Sequence, residues 1–142
     1  LAQFNAMKKI YLAARYERLS ELSEYREKLQ NLGYIVTSRW LNGEHTPKDA
    51  DPEMIADLNK DYAEIDLLDI DRSDTVILFT DKPKTVLKGG GMFVELGYAI
   101  AQSKNVVIVG PRENIFCFLD NINYQFDTWG EFLNAISEVA FT

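Results

Sequence analysis

Thr75-Val76-Ile77-Leu78-Phe79-Thr80, then Phe93 to Gln102, then Asn105-Val106-Val107-Ile108-Val109, is the stretch that decides the architecture. The two outer runs are nearly continuously apolar, as strands covered on both faces are, and the segment between them has the length and composition of a helix. Working back, Ile10-Tyr11-Leu12-Ala13-Ala14 is a short apolar run that breaks into Arg15-Tyr16-Glu17-Arg18, a buried strand entering a loop. Leu19, Leu22, Tyr25, Arg26, Leu29 and Leu32 then recur at helical spacing, and Gly33 supplies the stop. Tyr34-Ile35-Val36-Thr37-Ser38 makes a second strand, so the chain opens as β-α-β. After a loop from Asn42 to Pro52, long enough to act as a lid, Met54, Ile55, Leu58, Tyr62, Ile65 and Leu68 carry an acidic helix toward Asp74. Phe126-Asp127-Thr128-Trp129 reads as a short fifth strand, followed by a closing helix through Phe132, Leu133, Ile136 and Val139 that is capped near Asp127 or Thr128.

The expected fold class is α/β: a three-layer, flavodoxin-like or Rossmann-like sandwich on a five-stranded, mostly parallel sheet. At 142 residues the chain has the size of one compact domain. Residues 7–142 form that domain, and Leu1 to Ala6 reads as a tag remnant ahead of a natural start at Met7. A formal net charge of −7 argues against nucleic acid or an anionic membrane as the main partner, since both want a basic surface. A small phosphorylated molecule stays open, because a few local groups suffice to hold it. Cys117, the single cysteine, sits in the apolar run Ile115 to Phe118 and is expected as a buried thiol, which fits a reducing, cytoplasmic setting. No apolar run approaches the roughly 20 residues that a membrane span requires.

In such a sheet ligands gather beyond the carboxyl ends of the strands. The segment Lys88-Gly89-Gly90-Gly91-Met92-Phe93-Val94-Glu95 follows the third strand, and its glycines let backbone approach a ligand just before a helix that carries a carboxylate near its start. Glu95 there reads either as a reactive group aimed at the pocket or as an acid favoured by the helix dipole. The glycine run lacks the G-x-G-x-x-G spacing and does not follow the first strand, so a dinucleotide-binding dehydrogenase is disfavoured. The acids Asp66, Asp69, Asp71 and Asp74 form no Asp-x-Asp-x-Asp-Gly loop and the single histidine, His45, stands apart, so no metal and no other cofactor is expected.

Tyr11-Leu12-Ala13, Asp66 ahead of Ser73-Asp74, and Glu95-Leu96-Gly97-Tyr98-Ala99 together resemble the nucleoside 2-deoxyribosyltransferase superfamily, which also contains nucleotide N-hydrolases. Thr37 to Leu41, Val109 to Asn114 and Phe126 to Trp129 resemble a compact bacterial and phage branch of it. The resemblance implies a small-molecule nucleoside or nucleotide as substrate and Glu95 as the nucleophile at the anomeric carbon. It implies Tyr11 as the group orienting Glu95, and Asp66 as an acid assisting the departing base. Tyr11 also reads as a core aromatic, and Asp66 as part of a solvated acidic face. Substrate contacts are expected from Ala13, Arg15, Arg18 and Ser20 after the first strand, where the family's monophosphate hydrolases hold phosphate. Gly90, Gly91 and Asn114 are further expected contacts, while Arg39 or His45 would touch the base and Trp40 would stack on it or pack the lid.

Two positions depart from the pattern. Phe93 stands where the compact branch often has histidine, and Lys88 to Gly91 where the transferases have a further acid. Both leave transfer and hydrolysis open, and leave open a catalytically silent module that binds a nucleotide-like ligand in the same pocket. The aromatic residues Phe116, Phe118, Tyr124, Phe126 and Trp129 offer either apolar surface for a homodimer, as family members commonly form, or ordinary core packing.

Overall fold

A computed structural model describes residues 6–43, 47, 49–81 and 90–140. His45 and the segment Lys88-Gly89 therefore lie outside the described residues. The strands are β1 (Lys9–Ala13), β2 (Ile35–Val36), β3 (Thr75–Phe79), β4 (Asn105–Val109) and β5 (Tyr124–Phe126). They form a five-stranded sheet in the order β2-β1-β3-β4-β5, and every pairing is parallel. The helices α1 (Leu19–Asn31), α2 (Pro52–Asp71), α3 (Gly91–Ala101) and α4 (Trp129–Ala140) complete three layers.

Strand alternation sorts the core into two faces. Ile10 and Leu12 pack with Leu22 and Leu29 of α1 and Phe132 and Ile136 of α4. Tyr11 and Ala13 point the other way, with Ile70 of α2 and Met92, Leu96 and Ala99 of α3. Cys117 is fully buried on that second face. The strand order reverses at β1, which has β2 on one side and β3 on the other, and opens a crevice at the carboxyl edge between β1 and β3.

Local sequence explains how the elements end. Gly33 adopts φ +97 after α1, with Gly33 N–H donating to Gln30 and Tyr34 N–H to Leu29, a Schellman stop. Asp51 caps α2 by accepting from Met54 N–H at 2.9 Å, with Pro52 at the first helical position. Asp74 stands past the end of α2, where its carboxylate accepts the N–H groups of Lys8 and Lys9 at the start of β1. The fifth strand lies earlier than the pattern suggests, at Tyr124–Phe126. Thr128 instead caps α4 by accepting from Glu131 N–H at 3.1 Å, while the Glu131 carboxylate accepts from Asp127 N–H.

The second strand is also shorter than expected, and side chains take over its ladder. Leu12 N–H donates to Ser38 Oγ at 2.7 Å, and Trp40 Nε1 donates to the Leu12 carbonyl at 2.8 Å. The chain thereby leaves the sheet at Thr37 and turns through a 3-10 segment, Arg39–Asn42, over the end of β1.

Gly110 follows β4 at φ +118, and a methyl group there would come within 2.5 Å of Thr80 Oγ1 and 2.9 Å of the Thr80 carbonyl oxygen. Strain and collision act together, so Gly110→Ala is expected to lower stability by about 2 kcal/mol or more. A urea titration reads this directly, and an unchanged midpoint would show that the β4 loop yields freely.

Candidate functional site

The crevice at the carboxyl edge holds a cavity of about 440 Å³, lined by Arg15, Trp40, Asp66, Gly91, Met92 and Glu95 among others. Tyr11 lies beneath it, fully buried, and its hydroxyl donates to Glu95 Oε2. The three residues come from three different elements. Tyr11 comes from the centre of β1, Asp66 from the last turns of α2, and Glu95 from the second turn of α3, where Gly90 and Gly91 leave the helix start open.

Loss of hydration pushes the Glu95 carboxyl up to about 8; the Tyr11 hydrogen bond opposes that rise and the neighbouring Asp66 charge adds to it. Asp66 rises to about 6, through burial first and the Asp69 charge second, with Arg39 pulling the other way. Tyr11 is held well above its usual range by burial and by the carboxylates around it, so it stays a neutral hydroxyl and a hydrogen-bond donor. Two carboxyls of unlike affinity for protons thus face one cavity, as acid-base chemistry requires.

Other expected contacts divide. Trp40 lines the cavity with its ring fixed by the bond to Leu12, and Tyr16 lies beside it at 6.2 Å between ring centroids. Arg15 lines the cavity, but its guanidinium is paired with Asp81 and, at 3.1 Å, with Glu113. Arg18 lines a second cavity, about 450 Å³ and bordered by Phe79 and Trp129, and pairs with Glu21 at 2.7 Å and Asp81 at 3.4 Å. Arg39 is engaged by Asp69, whose carboxylate accepts both its backbone N–H and its Nε. Ala13 is buried at the end of β1, with Ala14 at the cavity wall instead. Ser20 is exposed on α1, Gly90 borders a neighbouring apolar groove, and Asn114 caps the 3-10 turn Ile115–Phe118 by accepting from Phe116 N–H.

Sequence reasoning did not single out Asp69, Asp81 or Glu113 as site residues. Asp69 was within reach, because it lies three residues from Asp66 and so on the same helical face. Asp81 follows β3 and Glu113 lies in the loop after β4, and only the topology brings them to Arg15. Among the described residues no cluster of His, Cys, Asp or Glu is arranged to hold a metal ion, and no helix is long and apolar enough to cross a membrane.

Residues 10–136 match the family model for nucleoside 2-deoxyribosyltransferase. Among solved structures the chain is similar to a 2-deoxyribosyltransferase from Bacillus psychrosaccharolyticus, with a TM-score of 0.62 and 25% identity over 89% of this chain and 90% of that one. It shares its fold with a CMP N-glycosidase of Clostridium botulinum (TM-score 0.56, 18% identity, 92% and 99% covered). A conserved protein of Enterococcus faecalis shares it too (0.59, 18%, 94% and 99%). No curated protein sequence matches the chain. With the match spanning nearly its whole length, the chain belongs to the nucleoside 2-deoxyribosyltransferase family.

Proposed function

We propose that the protein cleaves the N-glycosidic bond of a ribo- or deoxyribonucleoside, or of its 5'-monophosphate, through a glycosyl ester on Glu95. The observation that carries this reading is the Glu95 carboxyl held by the Tyr11 hydroxyl in a cavity that also contains Asp66. Glu95 attacks the anomeric carbon, the base leaves with the electrons of the carbon–nitrogen bond, and Asp66 gives the base a proton. Water or a second base then attacks the same carbon and releases Glu95, and its proton goes to the Asp66 carboxylate. Trp40 offers a fixed aromatic face for the base, and the start of α3 at Gly91 offers N–H groups.

The two carboxyls titrate as a pair, near 6 and near 8, and hold one proton between those values. Reaction requires that proton on Asp66 and the negative charge on Glu95. The Tyr11 hydrogen bond and the positive charge developing on the sugar both favour that arrangement. A second reading, a silent binding module, is favoured by the same raised Glu95 value, since a protonated carboxyl is no nucleophile.

The aromatic residues divide between the two roles left open. Tyr124, Phe126 and Trp129 pack against the core, whereas Phe116 and Phe118 are 56% and 65% exposed. Val94, Phe116 and Leu119 border an apolar groove of about 380 Å³ along α3, the helix that also carries Glu95. We propose that a second copy of the chain covers this face, and that the protein works in the cytoplasm, in keeping with its single buried thiol. Light scattering should give twice the chain mass, and Phe116→Glu should return it to monomer; a monomeric parent at working concentration would remove the dimer.

Chromatography of free base released from ribo- and deoxyribonucleosides and their 5'-monophosphates, with and without an acceptor base, tests the reaction. Glu95→Gln should reduce release by about a thousandfold or more. A new nucleoside that forms with acceptor marks a transferase, and release without acceptor a hydrolase. If the parent binds its ligand but frees no base, the silent module is correct.

The pH profile of kcat/KM is expected to be bell-shaped with limbs near 6 and 8. Below the lower limb both carboxyls are protonated and no nucleophile remains. Above the upper one both are ionised and no acid remains. Asp66→Asn removes a negative neighbour of Glu95, so the pH at which Glu95 ionises should fall, and a profile unmoved by the substitution would take Asp66 out of the mechanism.

A further inference from the structure

The arginines at the carboxyl edge are the groups a 5'-phosphate would meet, and the structure shows what each already holds. Arg15 is the arginine that lines the cavity, and its side chain is 9% exposed. Its two carboxylate partners are enclosed as well, Asp81 at 15% and Glu113 at 6%. Arg18 shares Asp81, takes Glu21 as well, and donates to the Thr80 carbonyl at 3.2 Å. Arg39 is held by Asp69, while Arg112 donates to the Cys117 carbonyl and lies over the Phe118 ring. The cavity wall adds Glu17 and Asp66, so among the described residues the charge around Arg15 is already more than balanced.

Two atoms of this cluster are buried without a hydrogen-bond partner among the described residues: Arg15 Nε, a donor, and Glu113 Oε2, an acceptor. A ligand hydroxyl can accept from an N–H of Arg15 and donate to a carboxylate of the cavity wall. A phosphate dianion only accepts. It would bring further negative charge beside Glu17 and Asp66 of the cavity wall, and to reach the paired guanidinium nitrogens of Arg15 it would have to displace an enclosed carboxylate. The open start of α3 does not reverse this balance, because its N–H groups serve a hydroxyl or carbonyl oxygen as well as a phosphate.

We infer that this cavity selects the unphosphorylated nucleoside over its 5'-monophosphate, with Asp81 and Glu113 as specificity-determining residues that act by occupying Arg15. The inference rests on the N-glycosidic reading of the site and names its substrate class. Asp81 and Glu113 are positioning residues, which need not touch the substrate.

The test compares kcat/KM for matched pairs, each of the four 2'-deoxynucleosides against its own 5'-monophosphate. On the parent protein the nucleoside should be favoured by about tenfold or more. Asp81→Asn and Glu113→Gln, which keep shape and remove charge, should each move that ratio toward the monophosphate. A purely structural role would lower both members of a pair together and leave the ratio where it was. The parent measurement stands if either variant fails to fold, and equal or better use of the monophosphate overturns the inference. If no base is released from any compound, calorimetric binding of the same pairs to the parent separates the two readings. Tighter nucleoside binding then retains the preference while the reaction falls. Binding that favours the monophosphate, or that is absent for both members at millimolar concentration, removes it.

Discussion

Parallel strands cannot be joined by hairpins, so each connection in this chain must cross the sheet, and all five strands end at the same edge. That constraint collects the site. The ends of β1, β2 and β3 and the start of α3 meet at one edge because no other arrangement satisfies the pairings. At β1 the order turns back on itself, and the crevice left there is where residues from β1, α2 and α3 converge. The alternation of β1 assigns the roles: Leu12 goes to the α1 and α4 side, while Tyr11 goes to the α2 and α3 side, beneath Glu95.

Burial gives Asp66 and Asp69 of α2 different situations although they stand three residues apart. Asp69 is bracketed by Arg39 at 2.8 Å and Arg72 at 4.0 Å and anchors the 3-10 turn that carries Trp40. Asp66 opens onto the cavity, where lost hydration and the Asp69 charge raise its affinity for protons. One helical face thus supplies a fixed anchor and a titrating group. The distinction arises from neighbours far off in sequence, not from residue type.

The periodicities that mark strands and helices are local, and the order of elements was legible for that reason. Strand lengths were less so. Thr37 and Ser38 have strand composition, yet Ser38 uses its hydroxyl, and Trp40 its indole, to take the Leu12 backbone groups that a longer β2 would have paired. Phe126 to Trp129 blended a strand end with a helix cap, because Thr128 and Glu131 close on one another only once α4 is formed. Glu95, Tyr11 and Asp66 were legible through the motifs around them, and the structure brings the three together at one cavity. The state of Arg15 was not legible, because Asp81 and Glu113 lie 66 and 98 positions away in sequence. Composition reveals that acids outnumber bases; only the fold reveals which base each acid meets.

The outermost strands, β2 with two residues and β5 with three, have a further consequence. A sheet rim invites a foreign strand in proportion to the row of unpaired amides it displays, and here both rows are too short to template one. The long apolar strands β1, β3 and β4, which would be hazardous at a margin, are all interior. Among the described residues, therefore, neither rim offers a foreign strand a backbone ladder long enough to zip onto the folded chain.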